Sequence, residues 1–297
     1  MDVSIIIVSY NTVELTLQCI KSIVDKTKDI DYEIIVSDNC SYDNTVEKIK
    51  SLYPNVIILK NNKNLGFGAA NNKALKKALG KYIFYLNSDT ILLNNAVKLF
   101  YDYWESSTEN LGAIGTKLLN SDMAYTHSGG NFPTYRTSLF YYSKTLLKTF
   151  LKNYLGINRK RSIANKYTDE IQYITGADLF LKNDEFAKFD ERFFLYFEET
   201  DLQYKLVSNG KKIKIIEEPR IIHLEGGSNS KKNEYLKSFS FFESCKSNII
   251  YLQKNLQLTK LKIRFLGNII CLILRINLNG EEKQNRVSEI KKLCNSY

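Results

Sequence analysis

Four apolar runs separated by three helical stretches occupy the first 86 residues, and that alternation limits the chain to few folds. The first run, residues 3–8, is almost entirely β-branched, the pattern of a strand buried on both faces of a parallel sheet. Helical periodicity over 13–24 follows, then strands at 32–37, 56–59 and 82–86 alternating with helices over 43–52 and 67–79. This order predicts an α/β fold with a doubly wound, mostly parallel sheet flanked by helices. Ligands of such sheets bind beyond the carboxyl ends of the strands. All four loops at that edge are polar: Ser9-Tyr10-Asn11, Asp38-Asn39, residues 61–64 and Asn87-Ser88-Asp89.

Asn, Asp and Ser at strand ends also cap helices and form turns, and one of Asp43, Asn44 and Thr45 is expected to do so. Asn62-Lys63-Asn64 before Gly66 has the composition of a turn. Asp38 differs, because it ends an apolar strand where a carboxylate could accept the imide N–H of a nucleotide base. The stretch Leu65-Gly66-Phe67-Gly68-Ala69-Ala70-Asn71 opens a helix with small residues, leaving room for a ligand to approach the backbone. Neither a GxGxxG loop after the first strand nor a Walker lysine loop is present, which argues against a nicotinamide enzyme and a P-loop NTPase.

The second half is less regular. Strands are expected at 111–119, at 171–181 with Thr175-Gly176-Ala177-Asp178 inside it, at 212–216 and at 221–224 before Gly226-Gly227-Ser228. Between them the aromatic run Phe193-Phe194-Leu195-Tyr196-Phe197 leads into Glu198-Glu199-Thr200-Asp201, three carboxylates in four residues. Aromatic side chains exclude water, so a carboxylate at their edge has the tunable proton affinity that a general base needs. Negative charge equally suits the first turn of a helix running through Leu206. At 100° per residue, Glu199 and Asp201 point about 200° apart on a helix, so both cannot serve one hydroxyl.

The formal charge of +10 is unevenly placed. Residues 136–167 hold eight Lys or Arg and no acid; residues 231–297 hold thirteen basic and five acidic residues, leaving −6 on the remainder. In the first basic segment Lys144, Lys148 and Lys152 form a stripe beside Leu146, Leu147, Phe150, Leu151 and Tyr154. An anionic membrane surface suits such a helix, and so does packing on its own domain. Neither segment shows a nucleic-acid-binding module. Five cysteines without CxxC spacing read as reduced thiols. The start at Met1-Asp2-Val3-Ser4 lacks the pattern of an export signal, so a cytoplasmic protein is expected, with room for peripheral attachment to the inner face of the plasma membrane. The longest apolar run, 263–276, is too short and too interrupted by Arg264, Asn268 and Arg275 to span a bilayer.

The motifs Val3-Ser4-Ile5-Ile6-Ile7-Val8-Ser9-Tyr10-Asn11, Val36-Ser37-Asp38-Asn39-Cys40-Ser41-Tyr42-Asp43-Asn44-Thr45, Asn64-Leu65-Gly66-Phe67-Gly68, Leu86-Asn87-Ser88-Asp89-Thr90 and 189–202 occur together, in an order that resembles glycosyltransferase family 2. The resemblance covers residues 1–230 and is nearest the rhamnosyltransferase-like branch. It implies a GT-A fold over 1–230, with a nucleotide-binding half at 1–110 and an acceptor half at 111–230 that carries the basic helical insert of about 136–168. A basic helical region would follow at 231–297, broken near 255–259 and 277–280. It implies an inverting hexosyltransferase, acting from a nucleoside-diphosphate sugar, with dTDP-rhamnose favoured and a UDP-hexose next. The acceptor would be a saccharide or lipid-linked molecule of bacterial surface polysaccharide. Ser9, Tyr10, Asn11, Asp38, Asn39, Asn64, Gly66, Phe67, Asn87 and Asp89 would hold the donor, and Asp89 with His223 would bind Mg²⁺ or Mn²⁺ on its diphosphate. The family's usual Asp-x-Asp is Asn87-Ser88-Asp89 here, so its first position offers a neutral amide. Thr175, Gly176 and Ala177 would line the acceptor side. The resemblance places the base at Glu199, with Glu198 as the alternative. A sugar nucleotidyltransferase and a non-catalytic nucleotide-sugar-binding subunit of a membrane assembly complex are the rival readings.

Overall fold

The computed structural model describes residues 1–155, 171–224 and 232–296. The basic residues of 156–167 and Gly226-Gly227-Ser228 therefore lie outside the described residues. So far as these residues go, the chain forms two compact units: Met1–Phe132, Asn165–Phe194 and Glu198–Gly227 in one, and Pro133–Ala164, Leu195–Phe197 and Ser228–Tyr297 in the other. The basic insert and the C-terminal region, read from the sequence as two attachments, thus belong to a single unit.

The first unit runs β1 (Val3–Ser9), α1 (Val13–Lys26), β2 (Tyr32–Asp38), α2 (Thr45–Leu52), β3 (Ile57–Lys60), α3 (Phe67–Leu75), β4 (Tyr82–Asn87), β5 (Thr90–Leu92), α4 (Ala96–Ser106), β6 (Leu111–Thr116) and β7 (Gly129–Gly130). After α5 (Tyr135–Leu155), which belongs to the second unit, it resumes with β8 (Tyr173–Ile174), β9 (Asp178–Lys182), α6 (Glu198–Ser208), β10 (Lys212–Ile216) and β11 (Ile221–His223). The seven-stranded sheet has the order β10-β6-β9-β4-β1-β2-β3. Neighbours are parallel except β9, which lies antiparallel to both β4 and β6.

Strand alternation gives this sheet a core on each side. Val3, Ile5 and Ile7 face α1 and α4 residues such as Ile20, Val97 and Phe100, while Ile6, Ile35 and Tyr85 pack with Phe189, Leu202 and Leu206 on the other side. Both faces of β1 are therefore buried, and its continuous apolar run follows from that.

Three expectations change. The helix expected over 67–79 stops at Leu75, where Lys77 and Ala78 donate to Ala74 and Leu75 in three-residue turns. The strand expected over 171–181 is two: β8 pairs with β7 outside the main sheet, and β9 begins after the loop Thr175–Ala177. The strand expected over 111–119 ends at Thr116, with Leu119 kept as an isolated bridge.

The second unit contains α5, a 3₁₀ turn (Lys232–Lys237), α7 (Phe239–Leu256), α8 (Lys260–Asn277) and α9 (Gly280–Asn295), with helix breaks at the expected places. Helix α8 packs on α5 and α9. Ser247 Oγ donates to the Leu195 carbonyl (2.9 Å) and the Phe197 ring meets Tyr251 at 5.7 Å.

Candidate active site

Parallel strands β2, β1 and β4 end at Asp38, Ser9 and Asn87, and antiparallel β9 begins at the same edge with Ala177 immediately before it. The Asn87 amide donates to the Ala177 carbonyl (3.0 Å), closing that edge. The strand order β9-β4-β1-β2 therefore lays the loop 175–177, Asn87-Ser88-Asp89, Ser9-Tyr10-Asn11 and Asp38 side by side. Asp38 and Asn87 stand two strand spacings apart, roughly 10 Å.

At the β2 end, Asp38 is fully buried. One carboxylate oxygen accepts the Ser41 amide (3.1 Å), and the other has no partner among the described residues. A buried acceptor left unmet costs about 1–3 kcal/mol, so this oxygen is poised for a donor. Asn11 takes a left-handed conformation (φ 54°) and ties the two loops together: its amide donates to Ser41 Oγ and its side chain accepts the Tyr42 amide, both at 3.0 Å. Tyr10 stands 45% exposed between them. Asp43, rather than Asn44 or Thr45, does the capping, accepting the Val13 amide and the Thr45 amide at the starts of α1 and α2.

Several residues expected at the donor make hydrogen bonds within the scaffold. Ser9 Oγ is turned into α1, bonding Thr16 Oγ1 at 2.9 Å. The Asn39 side chain donates to the Gly66 carbonyl (3.0 Å) and accepts from Asn61 (3.0 Å) and the Leu65 amide (3.3 Å). Asn64 accepts the Gly66 amide (2.9 Å), as a turn residue does. Gly66 has φ 83°, and a Cβ there would sit 2.2 Å from the Phe194 carbonyl oxygen, which also accepts the Phe67 amide (2.9 Å). The side of this glycine where a Cβ would stand is filled by the chain leading to the carboxylates.

At the β4 end, β5 and β11 pair Thr90 with His223, and the Leu224 amide donates to the Asp89 carbonyl (3.0 Å). This register sets His223 Nε2 3.3 Å from Asp89 Oδ1, while Nδ1 is buried without a partner among the described residues. Two donors at that separation fit adjacent positions around a cation bound at about 2.0–2.3 Å. Among the described residues no third His, Cys, Asp or Glu joins them, so the rest of such a shell would come from phosphate oxygens and water.

Helix α6 opens with the three carboxylates in its first turn. Tyr196 and Phe197 just before it both have positive φ (69° and 68°), an uncommon state for aromatic residues that costs about 1–3 kcal/mol each. Glu198 and Asp201 are buried, whereas Glu199 is partly exposed. Burial, together with the charge of Glu199, holds the Glu198 carboxyl well above the usual range. Glu199 is also raised by burial, but backbone amides and the Thr200 hydroxyl (3.2 Å) favour its ionised form. A Cβ built on Gly176 would lie 3.5 Å from Glu199 Cβ and 3.6 Å from Phe67 Cε1, so the 175–177 loop, Phe67 and Glu199 meet.

Two supporting residues, Gln203 and Tyr173, escaped the sequence. Gln203 grips Ile174, donating to its carbonyl (2.7 Å) and accepting its amide (2.8 Å). One turn after Glu199, it was the available signal for a link between α6 and β8. Burial and the Glu199 charge push the Tyr173 phenol up to about 12. Thr175 Oγ1 is buried beside Gly176 without a partner among the described residues.

A mostly parallel sheet whose ligand edge is completed by an antiparallel strand and a carboxylate-bearing helix has the GT-A architecture. Residues 4–171 match the model described as glycosyl transferase family 2, and the chain belongs to that family. Among its relatives, an uncharacterized glycosyltransferase of Methanocaldococcus jannaschii is 29% identical over 221 residues, 73% of this chain and 68% of that protein. The poly(ribitol-phosphate) beta-N-acetylglucosaminyltransferase TarP of Staphylococcus aureus is 28% identical over 219 residues, 70% of this chain and 63% of that one. The chain spans far less of others, such as 18% of a Bacillus spizizenii poly(ribitol-phosphate) beta-glucosyltransferase. Similar solved structures include S. aureus TarS 1-349 with UDP-GlcNAc, at 16% identity and TM-score 0.54 over 99% of this chain and 82% of that one. The mannosyltransferase PcManGT of Pyrobaculum calidifontis with GDP-Man and Mn²⁺ matches at 12% identity and TM-score 0.57 over 98% and 79%. At such identities these likenesses show the shared fold.

Proposed function

We propose that this chain is an inverting glycosyltransferase that moves a hexose or N-acetylhexosamine from a uracil or thymine nucleoside diphosphate to a hydroxyl of a saccharide or lipid-linked acceptor in bacterial surface polysaccharide assembly. The observation that carries it is Glu199: it is the one partly exposed carboxylate of its cluster, and it faces the loop at the ligand edge. In this reading Glu199 takes the proton of the acceptor hydroxyl as that oxygen attacks the anomeric carbon and the nucleoside diphosphate leaves from the opposite face. Burial raises the Glu198 carboxyl well above the usual range, which favours Glu199 as the base of the two. Asp89 and His223 would hold a divalent cation, which when bound neutralises charge on the leaving diphosphate. The names of TarP and of the TarS complex support an N-acetylglucosamine-type sugar ahead of rhamnose. The test is a donor screen with Mn²⁺ and a polyol-phosphate or lipid-linked acceptor, scored by nucleoside diphosphate release. Binding with no release from any donor would instead favour a non-catalytic subunit.

Two predictions arise from the donor side. If Asp38 accepts a base imide N–H, UDP should bind and CDP, whose cytosine lacks that proton, should bind at least tenfold more weakly. Asp38→Asn should weaken UDP by roughly 10- to 100-fold, the range for a hydrogen bond to a charged group. Equal affinities for UDP and CDP, read by calorimetry, would refute the assignment. Chelation by EDTA should stop transfer and Mn²⁺ should restore it; Asp89→Asn should raise the Mn²⁺ concentration needed, and full activity in EDTA would remove the cation from the scheme.

A further inference from the structure

We propose that the solvent face of α5 is a docking surface for an anionic lipid bilayer, independent of which sugar is transferred. That face carries a line of large apolar side chains. At 100° per residue, the buried line is Ser138, Tyr142 and Thr149, with Ser138 Oγ accepting from Asn248 (3.1 Å) and Thr149 donating to the Thr145 carbonyl (2.8 Å). The opposite line carries Phe140 (67% exposed), Leu147 (58%), Phe150 (47%) and Tyr154 (64%). Tyr142 is buried and Leu139, Leu146 and Leu151 are half-buried, so the outward Phe140, Leu147, Phe150 and Tyr154 are apolar surface beyond what the helix packs on its own unit, open to a partner outside it.

Charge identifies the partner. Helix α5 carries Arg136, Lys144, Lys148 and Lys152 and no acid. Lys144 lies 5.5 Å over the Phe140 ring, Phe150 and Tyr154 stack at 4.8 Å, and at 100° per residue Lys148 and Lys152 fall on the flank between the apolar line and the buried one. Helix α8, packed on α5, repeats the chemistry: Lys260, Lys262, Arg264 and Arg275, no acid, and exposed Leu261, Phe265 and Leu272. A second copy seated on α5 through the same face would set four positive charges against four, which disfavours self-association. An anionic headgroup layer above acyl chains satisfies both parts, with rings in the interface and lysine stems reaching up to the phosphates. No helix among the described residues is long and apolar enough to cross a membrane, so the contact is one of lying on the surface.

The test is co-sedimentation of the full chain with vesicles of phosphatidylcholine alone or mixed with phosphatidylglycerol. Binding is expected only to the anionic vesicles and should weaken as salt rises. Lys144→Gln and Lys148→Gln should each lower the partition coefficient about fivefold. Leu147→Ser with Phe150→Ser should lower it at every salt concentration, while Leu52→Ser, an exposed apolar residue of α2, should not. Circular dichroism and donor turnover with a soluble acceptor should be unchanged in these surface variants. Failure to bind anionic vesicles at low salt, unaltered binding by the α5 variants, or a dimer in solution that Leu147→Ser with Phe150→Ser dissociates would each overturn the proposal.

Discussion

Replacing Glu199 by glutamine is expected to lower sugar transfer by about 10²–10⁴, with donor affinity and fold intact, because the amide keeps the shape but cannot take the acceptor proton. Glu198→Gln should do much less, since burial raises that carboxyl well above the usual range and the amide copies its protonated form. The pH profile separates the two further. Burial raises Glu199 above the ordinary glutamate value, so the acid limb of the rate should lie above about pH 4.3 and vanish in Glu199→Gln. For stability the sign is opposite to that of a salt-bridged acid. Both glutamates bind protons more tightly folded than unfolded, so their favourable contribution is full below about pH 4.3 and is lost as pH rises through the raised values. Near-normal turnover in Glu199→Gln together with an inactive Glu198→Gln would move the base by one residue.

Gly66→Ala should be strongly destabilising. Its Cβ would lie 2.2 Å from the Phe194 carbonyl oxygen, a backbone atom that cannot rotate away, at a φ of 83° that alanine resists. A loss of about 3–4 kcal/mol is expected, a fall in melting temperature on the order of 10 °C. Calorimetry with and without donor is the check. A melting temperature within about 2 °C of the parent would mean that the Phe194 carbonyl does not brace this loop.

What the sequence made legible was local. The β-branched run of β1 and the polar strand ends follow from side-chain periodicity, and the two breaks in the C-terminal helices follow from Asn255 and Asn277-Leu278-Asn279. Pairing across long separations was not legible. The stretch 171–181 is apolar enough for one strand, but Gly176 opens a loop there, and only the tertiary setting places β9 between β4 and β6. Likewise Gly66, Asn39 and Asn64 were visible as polar or small residues at a ligand edge, yet the group that fills the space beside Gly66 comes from Phe194, 128 residues away. The α5 stripe was legible as basic and apolar; which of its faces is buried was not, because hydroxyls can go inside when partners such as Asn248 are waiting.

The antiparallel β9 carries a consequence for how the chain is made. It lies in the middle of the sheet but is translated 91 residues after β4 ends, roughly 5–20 s later at ordinary elongation rates. Until then β4 and β6, neighbours only through β9, both leave the ribosome with open hydrogen-bonding edges, the condition under which nascent strands find wrong partners. The loop 175–177 and the Glu199 helix that faces it take their places only when β9 closes that gap. The part of the sheet built from β1 to β4 can therefore form early, while the meeting of the 175–177 loop with Glu199 waits for β9 to be threaded into the sheet's centre.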